Sequence, residues 1–242
     1  MATVDGVTIS RNGLAEQVCD ALRELIVDQA LAPGQRVNIT ALARRLGVSE
    51  TPVREALGRL QSERLLTFEA YVGYAVMPLP TPARLNELLD VRRLLESQAA
   101  RVGAATVSDP QLEGMRRALD ALERLRAGPT FSQSKDHIHH DHAFHTAIVQ
   151  ASGNGVLGEV FRSLNLHVVL SRLYFGRGVA ELEQSRREHR AILGAYEARD
   201  PGAAELAVVA HIEAARARQL DRLRRLTSPE GPGPVGEPTA RA

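Results

Sequence analysis

Histidine and aspartate residues in one part of the chain have the spacing of metal ligands. The protein has 242 residues and eight histidines, and five of these histidines stand within nine consecutive positions that begin at His137. Residues four apart share a helix face, so Asp141 and His145 would project together. Further along, His189 and His211 lie in segments with helical apolar spacing and are predicted to face a core. His137, four residues before Asp141, is a reserve candidate by the same spacing.

Asp141, His145, His189 and His211 together make a donor set that suits a metal ion. Imidazole and carboxylate groups suit Zn, Ni, Co or Mn, and helical bundles build metal sites from ligands on facing helices. The pattern therefore predicts a divalent transition-metal site, with zinc as the first choice. The alternative for His189 or His211 taken alone is a core histidine with an ordinary hydrogen bond, which is the commoner situation for interior imidazoles.

A second group of polar residues surrounds a short amphipathic segment near position 50. Val53 and Leu57 would lie on its apolar face, whereas Arg54 would lie on its polar face. A recognition helix reads base edges from its N-terminal turns, and Arg54 can donate two hydrogen bonds to guanine, worth about 1–3 kcal/mol of discrimination. Its neighbours in these turns are further candidates: Ser49, Glu50 and Thr51. Arginines that could contact phosphates are Arg36, Arg44, Arg45 and Arg59, and Gly73 is a candidate in a later turn. The alternative is that this helix pair is only a packing unit.

The elements that would position these residues follow from apolar spacing and from capping residues. Apolar residues over 14–26 recur at helical intervals and predict a first helix. Thr40 is predicted to cap a short helix that Gly47 ends, and Ser49 is predicted to cap the next helix. Two short helices around a glycine turn form a helix-turn-helix. The runs LLTF and YAVM, on either side of a turn with Gly73, are predicted to form a two-stranded wing.

The stretch PLPTP at residues 78–82 is stiff, cannot continue a strand and is predicted to be a linker. After it, the chain consists of about six helical segments between breakers. The predicted fold class is therefore mainly α, with an N-terminal winged helix-turn-helix and a C-terminal antiparallel all-α helical bundle. The predicted bounds are a DNA-binding domain at 1–78, a linker at 79–82, a helical domain with the metal site at 83–226 and a disordered tail at 227–242.

Composition limits the classes of function. The formal net charge is +1, so a DNA-binding surface has to be local, and residues 36–64 contain six arginines against three glutamates. Cys19 is the single cysteine, which excludes an intrachain disulfide and a cysteine-based zinc site. Its apolar neighbours predict a small buried residue. No stretch has the length and hydropathy of a membrane span or a secretory signal, so we expect a cytoplasmic protein.

The N-terminal half resembles a known family of regulators. The stretch LGVSETPVREALGRLQSERLL resembles the signature of the GntR superfamily of bacterial transcription regulators, and LAPGQRVN resembles the turn that precedes it there. The resemblance implies a winged helix-turn-helix that binds DNA. Glu50 departs from the pattern because the superfamily usually has a DNA-contacting Arg there, and Arg64 stands where Gly is usual. Glu50 can pair with Arg54, one helical turn later, or accept a hydrogen bond from cytosine, so we predict an altered operator rather than lost binding.

Three later stretches, DHAFHTAIVQASGN, EHRAILGAYEARD and HIEAA, resemble the blocks of the FCD effector domain of FadR-type GntR regulators. That resemblance implies that Asp141, His145, His189 and His211 bind a metal, and that a small organic acid completes the ligand shell. It also implies that Arg92, in LLDVRRLLE, meets the carboxylate of this effector. The alternative for Arg92 is a solvated surface charge.

Together these patterns predict a homodimeric one-component regulator and not an enzyme. Its two recognition helices would bind a palindromic operator with half-sites about one helical turn apart. Effector binding at the metal would shift the helical bundle between states and reorient the winged domains through the linker. The resemblance implies repression relieved by the effector as the commoner behaviour, and activation is the alternative. A metal-dependent hydrolase would also fit the ligand pattern, as would a helical half that only dimerises around a vestigial metal.

Overall fold

The structure, a computed structural model, describes residues 11–28, 30–125, 131–164 and 179–227. Within these ranges the chain forms nine α-helices and one two-stranded antiparallel sheet. The N-terminal elements are α1 Arg11–Val27, α2 Ile39–Leu46, α3 Glu50–Ser62, β1 Leu66–Glu69 and β2 Gly73–Val76. The later helices are α4 Pro82–Thr106, α5 Asp109–Arg124, α6 Phe131–Ala151, α7 Gly155–Ser163, α8 Val179–Glu197 and α9 Pro201–Thr227.

Helices α1, α2 and α3 share one apolar core with the sheet. Leu22 of α1, Leu42 of α2 and Leu57 of α3 are all buried in it, together with Leu66 and Val76 of the two strands. Burying a leucine side chain stabilises the fold by about 1.5–3 kcal/mol. The inner face of α3 is therefore held by packing, which leaves its outer face available.

The start of α2 differs from the prediction. Thr40 lies inside the helix, and Asn38 is the N-cap, whose side chain accepts a hydrogen bond of 2.9 Å from the Ala41 amide. The predicted cap at Thr40 is wrong because the chain just before Asn38 pairs with β2, where the Val37 amide donates to the Tyr74 carbonyl at 2.9 Å. The helix can therefore begin at the next residue that is able to cap it.

The turn between α2 and α3 agrees with the prediction that a glycine ends α2. Gly47 ends α2 in the left-handed conformation, with φ of 68° and its amide bonded back to α2. That conformation suits glycine because it has no Cβ. Ser49 occupies the N-cap position of α3, but its side chain makes no capping hydrogen bond.

The predicted wing is a short antiparallel hairpin. Leu66 lies opposite Val76, and Glu69 lies opposite Gly73, which opens β2 with φ of 94°. Tyr71, in the turn between the strands, also has a positive φ, of 64°, and its side chain is fully exposed. The fold thus contains a helix-turn-helix followed directly by a wing.

The later helices include antiparallel neighbours. Arg216 of α9 donates to Asn86 and Asp90 in the first turns of α4, whereas Glu205 at the start of α9 pairs with Arg101 near the end of α4. These contacts require α4 and α9 to run in opposite directions.

Helices α8 and α9 are also antiparallel, since Glu188 pairs with Arg218 while the earlier Glu181 pairs with the later Arg222. The prediction of a mainly α protein with a winged helix-turn-helix and a helical half is confirmed.

The described residues divide into two compact units. One contains the described residues from 11 to 79 together with Leu125, 131–139 and Val179, and the other contains 80–124, 140–164 and 180–227. Pro82, in the predicted linker, is already the first residue of α4, and Thr227, in the predicted tail, is the last of α9. The rest of that tail lies outside the described residues, and the predicted domain bounds stay predictions. Among the described helices, none combines the length and the apolar composition that crossing a membrane requires.

Candidate functional site

Three buried imidazoles from three different helices meet in the second unit. His145 lies on α6, His189 on α8 and His211 on α9, and each is at most 3% exposed. One ring nitrogen of each histidine lies within 4.8 Å of one ring nitrogen of both others. The Nε2 atoms of His145 and His189 are 3.3 Å apart. Side chains distant in sequence thus form one compact group, which we call the histidine cluster.

Asp141 lies beside the histidine cluster, one helical turn before His145 on α6. Its Oδ1 atom is 3.7 Å from Nε2 of His189, and its side chain is 15% exposed. The structure therefore brings together all four residues that the sequence singled out as metal ligands. His137 is buried, but in the described part of the chain the group of mutually close ligand atoms does not include it. The ligand roles themselves stay predictions.

The chemistry of this donor set fits a divalent transition metal ion. Zinc binds histidine nitrogens at about 2.0–2.1 Å in tetrahedral sites, which places two such nitrogens about 3.3 Å from each other. The observed 3.3 Å between Nε2 of His145 and Nε2 of His189 equals that separation. Imidazole and carboxylate ligands suit such ions, and helical bundles build metal sites from side chains on facing helices, as here.

His211 is kept neutral by its surroundings. Burial lowers its pKa from 6.5 to about 4, and this effect outweighs the opposing hydrogen bond to Glu188. A histidine can bind a metal only when the binding nitrogen carries no proton. At neutral pH the His211 ring is therefore uncharged, and its unprotonated nitrogen has a lone pair that can bind a metal.

Glu96, on α4, is a buried partner of the cluster that the sequence analysis missed. It is 0% exposed, its Oε2 lies 2.6 Å from Nδ1 of His145, and its Oε1 accepts a 2.6 Å hydrogen bond from Nε of Arg92. Burial alone would raise the pKa of Glu96, but the nearby Arg92 guanidinium and the hydrogen bonds from His145 and Arg92 outweigh it and hold the pKa at about 2. A carboxylate thus stands ionised in the interior beside a predicted metal ligand.

The structure corrects one interpretation of Arg92. Its side chain is 4% exposed, so the alternative of a solvated surface charge is wrong. A buried guanidinium requires a partner, and Glu96, one turn later on the same helix, supplies it. The role of Arg92 toward an effector stays a prediction. The spacing of Arg92 and Glu96, four residues apart, is the signal that could have identified this pair.

Glu188 makes a second, similar arrangement and was also missed. Its Oε2 lies 2.9 Å from Nδ1 of His211, and both carboxylate oxygens accept 2.8 Å hydrogen bonds from Arg218. The hydrogen bonds from Arg218 and His211 overcome the effect of burial and lower the pKa of Glu188 to about 2. No local spacing pointed to this contact, because Glu188 and His211 lie on different helices.

The candidate DNA-contacting residues lie on the outer face of the first unit. Ser49, Thr51 and Arg54 are exposed, and the Arg54 side chain is 61% exposed. Arg54 donates a 2.8 Å hydrogen bond to Glu50, which also accepts one of 2.6 Å from the Thr40 hydroxyl. The hydrogen bonds from Thr40 and Arg54 lower the pKa of Glu50. Glu50 therefore holds the Arg54 guanidinium, which is one of the two arrangements that the sequence predicts.

The arginines predicted to contact phosphates are all exposed: Arg36, Arg44, Arg45 and Arg59. Arg59 pairs with Glu16 at 3.2 Å, and the backbone of Arg36 forms an isolated bridge with Ala75 of the wing. Gly73 lies at the base of the wing turn. The DNA-contacting roles of these residues stay predictions.

A winged helix-turn-helix joined to a helical half with a buried histidine cluster defines a class of DNA-binding transcription regulators. Residues 14–76 match the family model for bacterial regulatory proteins of the gntR family, and residues 87–214 match the FCD domain. The chain belongs to the GntR family and carries an FCD domain. Both resemblances stated for the sequence are confirmed.

Similar proteins are also transcription regulators. The chain is 30% identical over 209 residues to a "Probable D-xylose utilization operon transcriptional repressor" from Paenarthrobacter nicotinovorans, with 85% of this chain and 88% of the relative covered. It is 29% identical over 231 residues to the "Uxu operon transcriptional regulator" of Escherichia coli (strain K12), with 85% and 86% covered. The solved structure of E. coli McbR/YncC matches with a TM-score of 0.65 at 26% identity and covers 89% of this chain and 100% of that one. The relatives and both domains belong to regulators and not to enzymes.

Proposed function

We propose that this protein is a homodimeric, metal-containing regulator whose affinity for a palindromic operator is controlled by a small carboxylic acid. The observation that carries the proposal is the meeting of Asp141, His145, His189 and His211 in the FCD half of a chain whose other half has an exposed recognition-helix face. The effector would bind at the metal and change operator affinity. Because operator DNA lies in the cytoplasm of bacteria, we place the protein there.

In the proposed complex, α3 lies in the major groove of DNA. Arg54 would contact guanine, while Ser49 and Thr51 would contact phosphate or a thymine methyl group. Phosphate contacts position the protein without specifying sequence, and the wing turn at Gly73 would lie against the duplex. The arginines assigned to phosphate contacts are Arg36, Arg44, Arg45 and Arg59. The exposure of all these side chains in the structure supports the assignment.

In the helical half, Asp141, His145, His189 and His211 would hold a divalent ion, with zinc as the first choice. When bound, the metal supplies a Lewis-acid anchor for the oxygens of an organic acid. Asp141 alone among these ligands is charged, so the ligands neutralise only half of the charge of a divalent ion. A small carboxylate is therefore electrostatically favoured in the same place. We assign Arg92 to this effector as well, through its buried guanidinium.

The metal assignment is tested by elemental analysis of the purified protein. We expect wild type and His139→Ala to contain about one equivalent of a transition metal and His189→Ala to contain almost none. His139 is the matched control because it is an exposed histidine of α6, the helix that also carries Asp141 and His145. Stoichiometric metal in His189→Ala, together with the same fold by circular dichroism, would contradict the assignment.

The DNA assignment is tested with duplexes selected from a random library. Arg54→Ala is expected to lose about 1–3 kcal/mol of discrimination, roughly 5–150-fold in relative affinity. Arg116→Ala serves as the control because Arg116 is an exposed arginine of the other unit. Equal discrimination by both variants would exclude Arg54 as the base-reading residue.

Control by the effector is tested by fluorescence anisotropy on the selected operator. Metal-loaded and metal-stripped protein are titrated with a panel of small carboxylic acids. We expect one acid to weaken operator binding by the loaded protein only, as repression relieved by an effector requires. The relative from P. nicotinovorans is named a probable repressor, and we propose repression here also. Identical operator affinity under all conditions would refute the proposed control.

A further inference from the structure

We propose that Glu96 and Glu188 are positioning residues that determine which nitrogen of His145 and of His211 carries the proton. Each glutamate would keep the proton on Nδ1, so that Nε2 presents its lone pair to the metal. This inference rests on the proposed metal site and extends it to the residues behind the ligands.

The argument begins with what a carboxylate can do. An ionised carboxylate only accepts hydrogen bonds, whereas a neutral imidazole has one donor and one acceptor nitrogen. Glu96 lies 2.6 Å from Nδ1 of His145, and Glu188 lies 2.9 Å from Nδ1 of His211. In both contacts Nδ1 must therefore donate its proton. Nε2 is left as the acceptor in each ring, which is the state that a metal ligand requires.

Each glutamate is itself held by an arginine. Nε of Arg92 donates to Glu96 at 2.6 Å, and Arg218 donates two hydrogen bonds of 2.8 Å to Glu188. The side chains of Arg92 and Arg218 are 4% and 10% exposed. A carboxylate that accepts from such a donor cannot rotate away from the histidine without losing the charge-assisted hydrogen bond from the arginine. The side chains therefore form two hydrogen-bonded triads, His145–Glu96–Arg92 and His211–Glu188–Arg218.

Both triads connect different helices. The packing of these helices therefore sets the orientation of the two histidine rings. Glu96 of α4 reaches His145 of α6, and Glu188 of α8 reaches His211 of α9. A carboxylate behind a metal-binding histidine also raises the basicity of the ligand nitrogen, and loss of such a partner typically costs about 10–100-fold in metal affinity. Arg92 thus contributes to metal binding through Glu96, independently of any contact with an effector.

Glutamine at these positions gives a distinctive test because it keeps the shape and changes the donors. Arginine cannot accept a hydrogen bond, so the carboxamide oxygen in Glu96→Gln is expected to take the place of Oε1, which accepts from Arg92. Its NH2 group then faces Nδ1 of His145 and requires a lone pair there. The proton moves to Nε2, where it blocks the metal. Arg218 donates to both oxygens of Glu188, so Glu188→Gln is expected to weaken metal binding by removing the charged partner of His211.

The experiment compares wild type, Glu96→Gln, Glu188→Gln and a control, Glu197→Gln. Glu197 accepts a 2.8 Å hydrogen bond from Arg116, contacts no histidine of the cluster and lies in the same unit. Zn²⁺ affinity is measured by competition with a chromogenic chelator. We expect both glutamine variants to bind Zn²⁺ about 10–100-fold more weakly than wild type, with Glu197→Gln unchanged.

The second measurement is the ¹⁵N NMR spectrum of the histidine rings in metal-free protein at mildly alkaline pH, assigned by single histidine replacements. Wild type should have the proton on Nδ1 of His145 and His211, and Glu96→Gln should move it to Nε2 in His145. Protons on Nε2 in wild type overturn the proposal, as does Zn²⁺ affinity in both variants equal to that of Glu197→Gln. If a variant does not fold, the spectrum of wild type decides alone. If wild type binds no Zn²⁺, the proposed metal site is refuted. The proton positions then still show whether Glu96 and Glu188 keep the proton on Nδ1.

Discussion

Replacing Gly103 by alanine is expected to destabilise the helical unit, although alanine favours helices. Gly103 lies on α4 where that helix touches the end of α6. A Cβ atom added there would lie 2.9 Å from the carbonyl carbon and 3.0 Å from the Cβ of Ala151, and 3.1 Å from the amide nitrogen of Ser152. Two of these three contacts involve backbone atoms, which cannot move aside as a flexible side chain can. The two helices would have to separate.

The expected magnitude follows from two opposing effects. Overpacking in a core typically costs about 1–3 kcal/mol, while replacing glycine by alanine in a helix gains up to about 1 kcal/mol. Steric repulsion against backbone should dominate, so we expect a net loss of about 1–2 kcal/mol in the free energy of unfolding. The packing of α4 against α6 also affects the histidine cluster. Glu96 lies two turns before Gly103 on α4, and His145 lies nearly two turns before Ala151 on α6. Zn²⁺ affinity should therefore fall as well.

The assay is urea unfolding of the full chain followed by circular dichroism, with Gly194→Ala as the matched variant. Gly194 lies on α8 and, like Gly103, is followed by three residues of its own helix, but nothing lies within 4 Å of its added Cβ. We expect Gly194→Ala to be stabilised by up to about 1 kcal/mol. If Gly103→Ala unfolds at the same or a higher urea concentration than Gly194→Ala, the reasoning about close packing is refuted.

Four further results are expected. Glu50→Arg releases Arg54 and adds a donor, so the sequences selected from a random duplex library should change, and an unchanged profile would discard the role given to Glu50. Asn38→Ala removes the cap of α2 and should cost about 1 kcal/mol of stability in urea unfolding; no loss would mean that another group caps the helix. Burial raises the pKa of the Cys19 thiol, so at neutral pH it should react with a thiol reagent only as fast as the protein unfolds, and rapid labelling of native protein would contradict its burial. Removing the metal with a chelator should lower the thermal midpoint, because a ligand at one hundred times its Kd stabilises the fold by about 2.7 kcal/mol; an unchanged midpoint would argue against a bound ion.

Local patterns were sufficient wherever a few neighbouring residues decide the outcome. The apolar spacing of Val53 and Leu57 was enough to predict the buried face of α3, because helical periodicity relates side chains only three or four positions apart. Gly47 was correctly predicted to end α2 for the same reason, since a left-handed residue at a helix end is a local requirement. Asp141 and His145, one turn apart, could likewise be assigned to one face.

Local patterns failed where another part of the chain decides. The sequence predicts a cap at Thr40, but asparagine caps helices as well as threonine does, and Asn38 is the cap in the structure. The choice depends on the backbone pairing of residues 36 and 37 with β2, some 40 residues later in the chain. The surface alternative for Arg92 failed similarly, since an arginine is normally exposed unless a buried acceptor is present.

The sequence alone therefore determined the family, the mainly α fold with its wing, the position of Arg54 on an outward face and the four candidate ligands. Only the tertiary structure decided that these four ligands come together, that Arg92 is buried, and that Glu96 and Glu188 lie behind His145 and His211. The physical reason is that the hydrogen bonds that Glu96 accepts from His145 and Glu188 accepts from His211 join residues 49 and 23 positions apart. Contacts of that kind arise from the packing of one helix against another and leave no periodic trace in either segment.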